Sequence, residues 1–403
     1  MSKNASTART YLAVPYAQKD EAKRAGASWS TERRLWYTEK LTDELRRWVP
    51  DSFQSPRIES NPRNEFRAIM QSIGLVAEKD HPIPDGRRHR VPTTCDKRGR
   101  KSGFYILHVD GLPAGYTLNH RTGEAKRWHA NVQLSEEEKA SLRVRAAEQA
   151  ERHQRQLEAS YAKVAAQCRE ALGHLTPLKY GDATPYLIKK GVVAHRGLYR
   201  SEDGETTYVP MVDGQGRLQS MQEIHANGDK RYLEGGRVAG CFHPLGGRKA
   251  FDHAARRGII VLAEGYATAA TVREVTNNLS TPIAVASAFH ANNLPHVAKA
   301  LRHRYANTPL VIAADDDRKN KVNAGRKYAE QAAQESRGTV IYPPFTEQHP
   351  LKLSDWNDID QHPLTGYDRN SHRQALRQGI TTAHTQQQRH IQHAQNRPSR
   401  SRR

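Results

Sequence analysis

The residues of this 403-residue chain that could do chemistry are carboxylates placed at the ends of apolar runs. Glu264 directly follows GIIVLA (258–263), and Asp315, Asp316 and Asp317 directly follow PLVIAA (309–314). A further acidic group, Ser354-Asp355-Trp356-Asn357-Asp358, lies a short loop beyond GTVIY (338–342). With PIAVASA (282–288) these runs make four strands of the kind buried on both faces. Helical stretches at 266–275, 294–305 and 323–335 separate them. Such alternation gives right-handed crossovers and a parallel sheet between helices. Ligands on open α/β sheets sit beyond the carboxyl ends of the strands, so the topology carries Glu264 and the aspartates to one edge. Alternate residues after a strand point the same way, which pairs Asp315 with Asp317 and turns Asp316 aside.

Carboxylates about 5 Å apart repel by roughly 3 kcal/mol per pair at an effective dielectric near 20. A divalent cation removes that cost, and an oxygen-only donor set favours Mg²⁺ or Mn²⁺. The competing role for these acids is to cap helices or to pair with Arg318 and Lys319. Asn323 and Gly325 open the helix after the third strand, where free backbone N–H groups can hold a phosphate; an ordinary N-cap is the alternative. Lys230, Arg231 and Arg237 sit among glycines upstream of the first strand, available to a phosphate or simply solvated.

The elements around this segment set its context. Lys plus Arg number 63 against 43 Asp plus Glu, a net charge of +20 that calls for a polyanion, nucleic acid above all. Mean hydropathy is −0.84 and no apolar run approaches the ~20 residues of a spanning helix, so no membrane insertion is expected. No apolar stretch follows the polar start MSKNASTART, so no secretory signal is expected either, and the expected location is cytoplasmic. Cys95, Cys168 and Cys241 are isolated, which excludes a disulfide framework and a C-x-x-C zinc knuckle. Cys95 with His81, His89, His108 or His120 matches no standard finger spacing, and no zinc is predicted.

The pattern divides the chain as follows. Residues 1–50 form a small α+β module, with Trp29 and Trp36 read as its core. Residues 51–63 are a linker rich in Pro, Ser and charge. Residues 64–131 begin with an amphipathic helix and continue into strands around the turn Asp110-Gly111. Residues 132–173 are a spacer helix, opened by Ser135 and Glu138 at capping-box spacing. Its early turns are polar all round; its later turns carry Leu157, Tyr161, Val164, Cys168 and Leu172, so it docks by its C-terminal half. Residues 174–250 alternate short strands with the turns Asp213-Gly214 and Asn227-Gly228, an antiparallel α+β subdomain. Residues 251–367 are the catalytic domain. From Ser371 to Arg403 there is no acid while Arg373, Arg377, Arg389 and Arg397 recur, so 368–403 reads as a disordered basic tail binding phosphates non-specifically.

Glu264-Gly265-Tyr266-Ala267-Thr268-Ala269, Asp315-Asp316-Asp317 and Ser354-Asp355-Trp356-Asn357-Asp358 together resemble the motifs of the Toprim (topoisomerase–primase) fold. The E-G-Y-A-T-A form resembles the primases of conjugative plasmids and satellite phages, the TraC-type group. Ala288 to Leu294 resembles that group's loop after the second strand, with His290 and Ala291 departing from the usual glycine. Gly228 to Arg237 and Gly240 to Gly246 resemble the segment before the catalytic strand. Residues 64–131, with Gly103-Phe104-Tyr105 and Trp128, resemble the group's N-terminal primase region. The resemblance implies Glu264 as metal ligand or general base, Asp315 and Asp317 as ligands of catalytic Mg²⁺, and Asp355 and Asp358 as auxiliary acids. It also implies that Lys230, Arg231 and Arg237 meet template or incoming triphosphate.

The function so implied is a DNA primase making short RNA primers on single-stranded DNA from ribonucleoside triphosphates, in plasmid conjugation or replication. No G-x4-G-K-S/T motif is present, so a separate helicase or relaxase would unwind the template. The same acids would serve a Toprim-fold nuclease, and a non-catalytic protein coating transferred single strands is the third reading.

Overall fold

The structure, a computed structural model, describes residues 9–50, 61–78, 80–109, 112–130, 134–320, 322–362 and 369–395. The expected turn at Asp110-Gly111 and most of the expected linker lie outside the described residues. Contacts divide the chain into two units, residues 1–155 and 156–403.

In the first unit, β1 (Thr10–Leu12), β2 (Ser28–Ser30) and β3 (Leu35–Thr38) form an antiparallel sheet in the order β1-β3-β2, with α1 (Lys19–Arg24) and α2 (Asp43–Arg46) beside it. Leu12, Ala22, Ala27, Leu45 and Trp48 are its core. Trp29 is not core, contrary to expectation: it is 48% exposed and meets the half-buried Trp36 edge-on across β2 and β3. Pro62 opens α3 (Pro62–Ser72) with Asn61 as its cap, so the helix starts inside the segment read as linker. Phe66 and Met70 of α3, with Ile73 at its C-cap, pack on a four-stranded antiparallel sheet of β4 (His89–Val91), β5 (Gly103–His108), β6 (Ala114–Asn119) and β7 (Ala125–His129). His81 bonds to the Tyr105 hydroxyl and His89 to Asp85.

Ser135 and Glu138 close a reciprocal capping box at the head of α4 (Glu136–His174): the Ser135 N–H donates to the Glu138 carboxylate at 2.7 Å and the Glu138 N–H to Ser135 Oγ at 3.1 Å. The early turns of α4 are not polar all round. Ala140 and Val144 are buried against Tyr11, Ala13 and Leu35, so this half docks as well. Short side chains spaced four apart were enough to make that stripe.

The second unit holds the acids. β8 (Thr176–Pro177), β9 (Tyr199–Arg200), β10 (Thr207–Val212), β11 (Leu218–Ile224) and β12 (Lys230–Tyr232) form an antiparallel sheet in the order β12-β11-β10-β9-β8. Between β8 and β9 lies α5 (Pro185–Lys190), begun by Pro185 and ended by Gly191 at φ 59°. A second sheet follows, ordered β13-β15-β14-β16-β17, from β13 (His243–Pro244), β14 (Ile259–Ala263), β15 (Ile283–Ser287), β16 (Leu310–Ala313) and β17 (Thr339–Ile341). Four of these strands are parallel; the short edge strand β13 runs antiparallel to β15, which the expectation of a purely parallel sheet missed.

Side-chain alternation builds two apolar layers. Val261, Ala263, Val285 and Val311 face α7 (Tyr266–Thr276), α10 (Trp356–Gln361) and α11 (Arg369–Gln395). Ile260, Leu262, Ala286 and Ile312 face α6 (Arg248–Arg257), α8 (Leu294–Arg304) and α9 (Ala324–Ser336). Gly258 lets β14 begin beside β15, because a Cβ there would sit 1.8 Å from the Pro282 carbonyl oxygen.

The expectation of a disordered tail over 368–403 is corrected by α11. Leu376, Ile380, Ala383 and Gln387 recur at helical spacing and are buried against the sheet. Arg373 is bidentate to the buried Asp360 at 2.7 and 2.9 Å, and Arg369 reaches the same carboxylate at 2.6 Å. Arg377 donates to the Val275 carbonyl at 2.8 Å. These arginines serve the fold rather than free phosphates; residues 396–403 lie outside the described ones. Among the described residues, no helix is long and apolar enough to cross a membrane.

Candidate active site

β14 and β16 are adjacent and parallel, so the residues that follow them emerge at the same edge. Glu264 leaves β14 with its backbone carbonyl accepting from Ser287 Oγ at 3.1 Å. Its carboxylate accepts from the Ala291 N–H in the loop after β15. Burial, then the charge of Asp317, pushes the Glu264 carboxyl up to about 7. Asp315 is raised well above the usual carboxylate range, first by burial and then by Glu264, Asp355, Asp317 and Asp358. Its Oδ1 is buried without a hydrogen-bond partner among the described residues.

Asp316 does turn aside. Its Oδ1 accepts from Asn323 Nδ2 at 2.6 Å and lies 3.6 Å from Arg326 Nε. Asp317 turns back toward Glu264 and accepts the Gly325 N–H at 3.2 Å. That bond corrects the expected phosphate nest at the head of α9. The Gly325 N–H is spent on Asp317, and Asn323 Oδ1 accepts from the backbones of Asp317 and Arg326. Both residues position acids. Glycine is required there, since a Cβ on Gly325 would stand 2.6 Å from the Asp315 carbonyl oxygen.

Asp355 and Asp358 cap α10 reciprocally: Asp355 Oδ1 accepts the Asp358 N–H at 2.7 Å, and Asp358 Oδ2 accepts the Ser354 N–H at 2.9 Å. Burial, then Asp358, raises the Asp355 carboxyl. The capping role weighed for these acids is therefore realised, while their charge still bears on Asp315.

Two cations answer the acids. Lys230 on β12 feels Asp355, Glu264 and Asp315; desolvation by the surrounding protein, followed by Lys190, lowers its ammonium pKa, although the residue keeps access to solvent. Lys190 at the end of α5 stands 3.6 Å from Asp358. Sequence reasoning missed Lys190, although Lys-Lys-Gly at a helix end was readable as a cationic C-terminus. Asn357, also missed, ties Lys190 in place by donating to its carbonyl at 2.8 Å and to Thr271 Oγ1 at 3.0 Å. Arg231 is exposed on β12, and Arg237 faces a cleft along α8 instead of the acids.

Among the described residues no three His, Cys, Asp or Glu side chains stand as a ready metal-holding group. The donor set nonetheless fits a hard divalent cation. It is all oxygen, Asp315 Oδ1 has an unused buried lone pair, and burial followed by like charge raises the carboxyls of Glu264 and Asp315.

The chain is similar to several known proteins. Residues 259–365 match the Toprim domain, and residues 9–50 match a family described as a domain of unknown function (DUF5710). Two Escherichia coli proteins, each called DNA primase TraC, are similar to the chain. One is 40% identical over 358 residues, 85% of this chain and 32% of that protein; the other is 39% identical over 356 residues, 85% and 24%. The chain thus spans about a third or less of the length of these relatives. The primase fragment of the bacteriophage T7 primase-helicase protein superposes with a TM-score of 0.32 at 16% identity, over 49% of this chain and 69% of that one. Residues 259–365 thus match the Toprim domain, and over 85% of its length the chain is similar to proteins called DNA primase TraC.

Proposed function

We propose that the chain is a DNA primase that makes short RNA primers on single-stranded DNA by divalent-metal-dependent nucleotidyl transfer. The observation that carries this is the gathering of Glu264, Asp315 and Asp317 at one sheet edge, in a chain 40% identical to a DNA primase TraC. When bound, Mg²⁺ or Mn²⁺ would make the attacking 3′-hydroxyl more acidic and neutralise the triphosphate. Asp315 and Asp317 would hold it, with Glu264 as third ligand or as the base that takes the hydroxyl proton. Asp355 and Asp358 supply negative potential from the second rank. Lys230 and Lys190, which interact with these acids, would hold them together before the substrate arrives and would then meet its phosphates. Arg231, exposed on the same strand as Lys230, would meet the template. We further assign 1–50 and 64–131 as separate modules before the catalytic unit, and a separate helicase or relaxase as partner in plasmid transfer.

Labelled ribonucleotides with single-stranded templates test the reading. Oligonucleotide ladders that vanish in Asp315→Ala and Asp317→Ala are expected. Template degradation instead would make the chain a nuclease, and product-free binding unaltered by those changes would make it a coating protein.

A further inference from the structure

A second feature of the catalytic unit has no part in the chemistry above. α8 buries Leu294, Val297, Ala298 and Leu301 and leaves His296, Lys299 and His303 exposed along one side, as the 3.6-residue period requires. That ridge forms one wall of a cleft of about 650 Å³, whose other walls are the turn at Gly214-Gln215 and the loop 237–240. Arg237 and Arg304 also line it, and no Asp or Glu does. Arg304 is committed to the wall, donating to the Gly214 carbonyl and to Asp252, both at 3.0 Å. Among the described residues, the Arg237 guanidinium donates only to the Ala239 carbonyl, at 3.4 Å.

One buried side chain joins the cleft's loop to the loop beside the acid site. Asn293 accepts the Gly240 N–H at 2.9 Å and donates to the carbonyls of Cys241 at 3.0 Å and Ala288 at 2.8 Å. It therefore ties the cleft's loop to the segment whose Ala291 N–H holds Glu264. From His296 to His303 the ridge runs about 10 Å along the helix axis. That is about three nucleotides at the rise of a strand in duplex form. Cationic and donor groups strung out along an open track suit a succession of phosphodiesters; a single triphosphate would call for convergent donors.

We propose that this cleft holds the sugar–phosphate backbone of the nucleic-acid strand that runs to or from the acid site. The inference rests on the primase reading only in that the chain works on nucleic acid. The test is fluorescence anisotropy of a labelled thymidine 20-mer in EDTA, where synthesis is impossible, with the full chain and with Lys299→Glu/His303→Glu. The affinity at 100 mM salt should fall at least tenfold, and the salt slope should shrink by about 0.7 for the phosphate that Lys299 releases. Lys299→Arg/His303→Arg should bind at least as tightly as wild type. ATP binding with Mg²⁺ should stay within twofold of wild type in both. Unchanged 20-mer affinity and slope would overturn the inference; so would a loss of ATP affinity as large as that for the 20-mer, which would make the cleft a free-nucleotide site. If the double glutamate variant melts early, Lys299→Gln carries the same comparison with an expected threefold loss. A chain that makes no primers yet loses DNA through these changes removes the polymerase reading and keeps this one.

Discussion

Glu264→Gln offers the sharpest check on the electrostatics of the acid site. The Glu264 carboxyl is raised from 4.5 to about 7, chiefly by burial and next by Asp317. Between those values the folded chain keeps a proton that the unfolded chain has released. Stability therefore falls as pH climbs through that window. A shift of that size corresponds to about 3 kcal/mol at ~1.4 kcal/mol per pH unit. Glutamine keeps the acceptor for the Ala291 N–H and removes the titration. In EDTA at pH 8 the variant should be more stable than wild type by about 3 kcal/mol. At 2–4 °C per kcal/mol for a unit of this size, Tm should rise by roughly 6–12 °C. At pH 4.5 the two should melt together. Mg²⁺ at pH 8 should raise the wild-type Tm more than that of the variant, because the cation replaces the missing countercharge. Calorimetric melts at the two pH values decide it. A variant no more stable at pH 8, or equally stabilised at both, would show that Glu264 is not crowded by burial and like charge.

Other perturbations act at named contacts. Gly325→Ala places a methyl 2.6 Å from the Asp315 carbonyl oxygen, so α9 must retreat and loosen its grip on Asp317. Primer yield should fall by about 100-fold, with a loss of stability of about 1–3 kcal/mol in urea; near-normal turnover would refute the positioning role. Asp360→Asn leaves Arg373 and Arg369 without their buried carboxylate and should cost about 3–5 kcal/mol, read as a lower Tm and faster proteolysis of α11. Ser135→Ala opens the capping box of α4 and should cost about 1 kcal/mol in urea unfolding, with oligonucleotide affinity unchanged.

What could be read from the chain, and what could not, follows from how local each signal is. Strands β14, β15 and β16 are apolar without interruption because both faces are covered, so their existence was legible from the apolar runs and their parallel pairing from the helices between them. The positions of Glu264 and Asp315 followed, since a strand's last residue fixes where the next one emerges. The turn of Asp316 away from Asp317 was legible from alternation. By contrast α11 was hidden: its Gln, His and Arg content argues for solvent, and only the stripe Leu376, Ile380, Ala383 argues for burial. Its anchor, Asp360 between two arginines, joins residues whose pairing no local pattern encodes. Trp29 misled in the other direction. Tryptophan in a very small domain is usually core, yet here Trp48 fills that role and hydrogen-bonds Gln18 at 2.6 Å.

The same distinction explains the residues of the candidate site that were misjudged or missed. Asn323 and Gly325 were correctly placed at the head of a helix, but a free N–H is a statement about what lies opposite, and opposite lies Asp317. Lys190 comes from a helix more than seventy residues before Glu264, and only the fold brings it to Asp358. Its presence alters the physical account of the site. A cluster of acids with no cation at all would spread apart or stay protonated. With Lys230 and Lys190 at its border, the cluster is part-neutralised and stays gathered. Neither ammonium is deep enough to satisfy Asp315 Oδ1, which remains without a partner among the described residues. The uncompensated negative charge is therefore local: it is centred on Asp315 and bounded by Lys230 and Lys190, a setting that suits a small, hard cation.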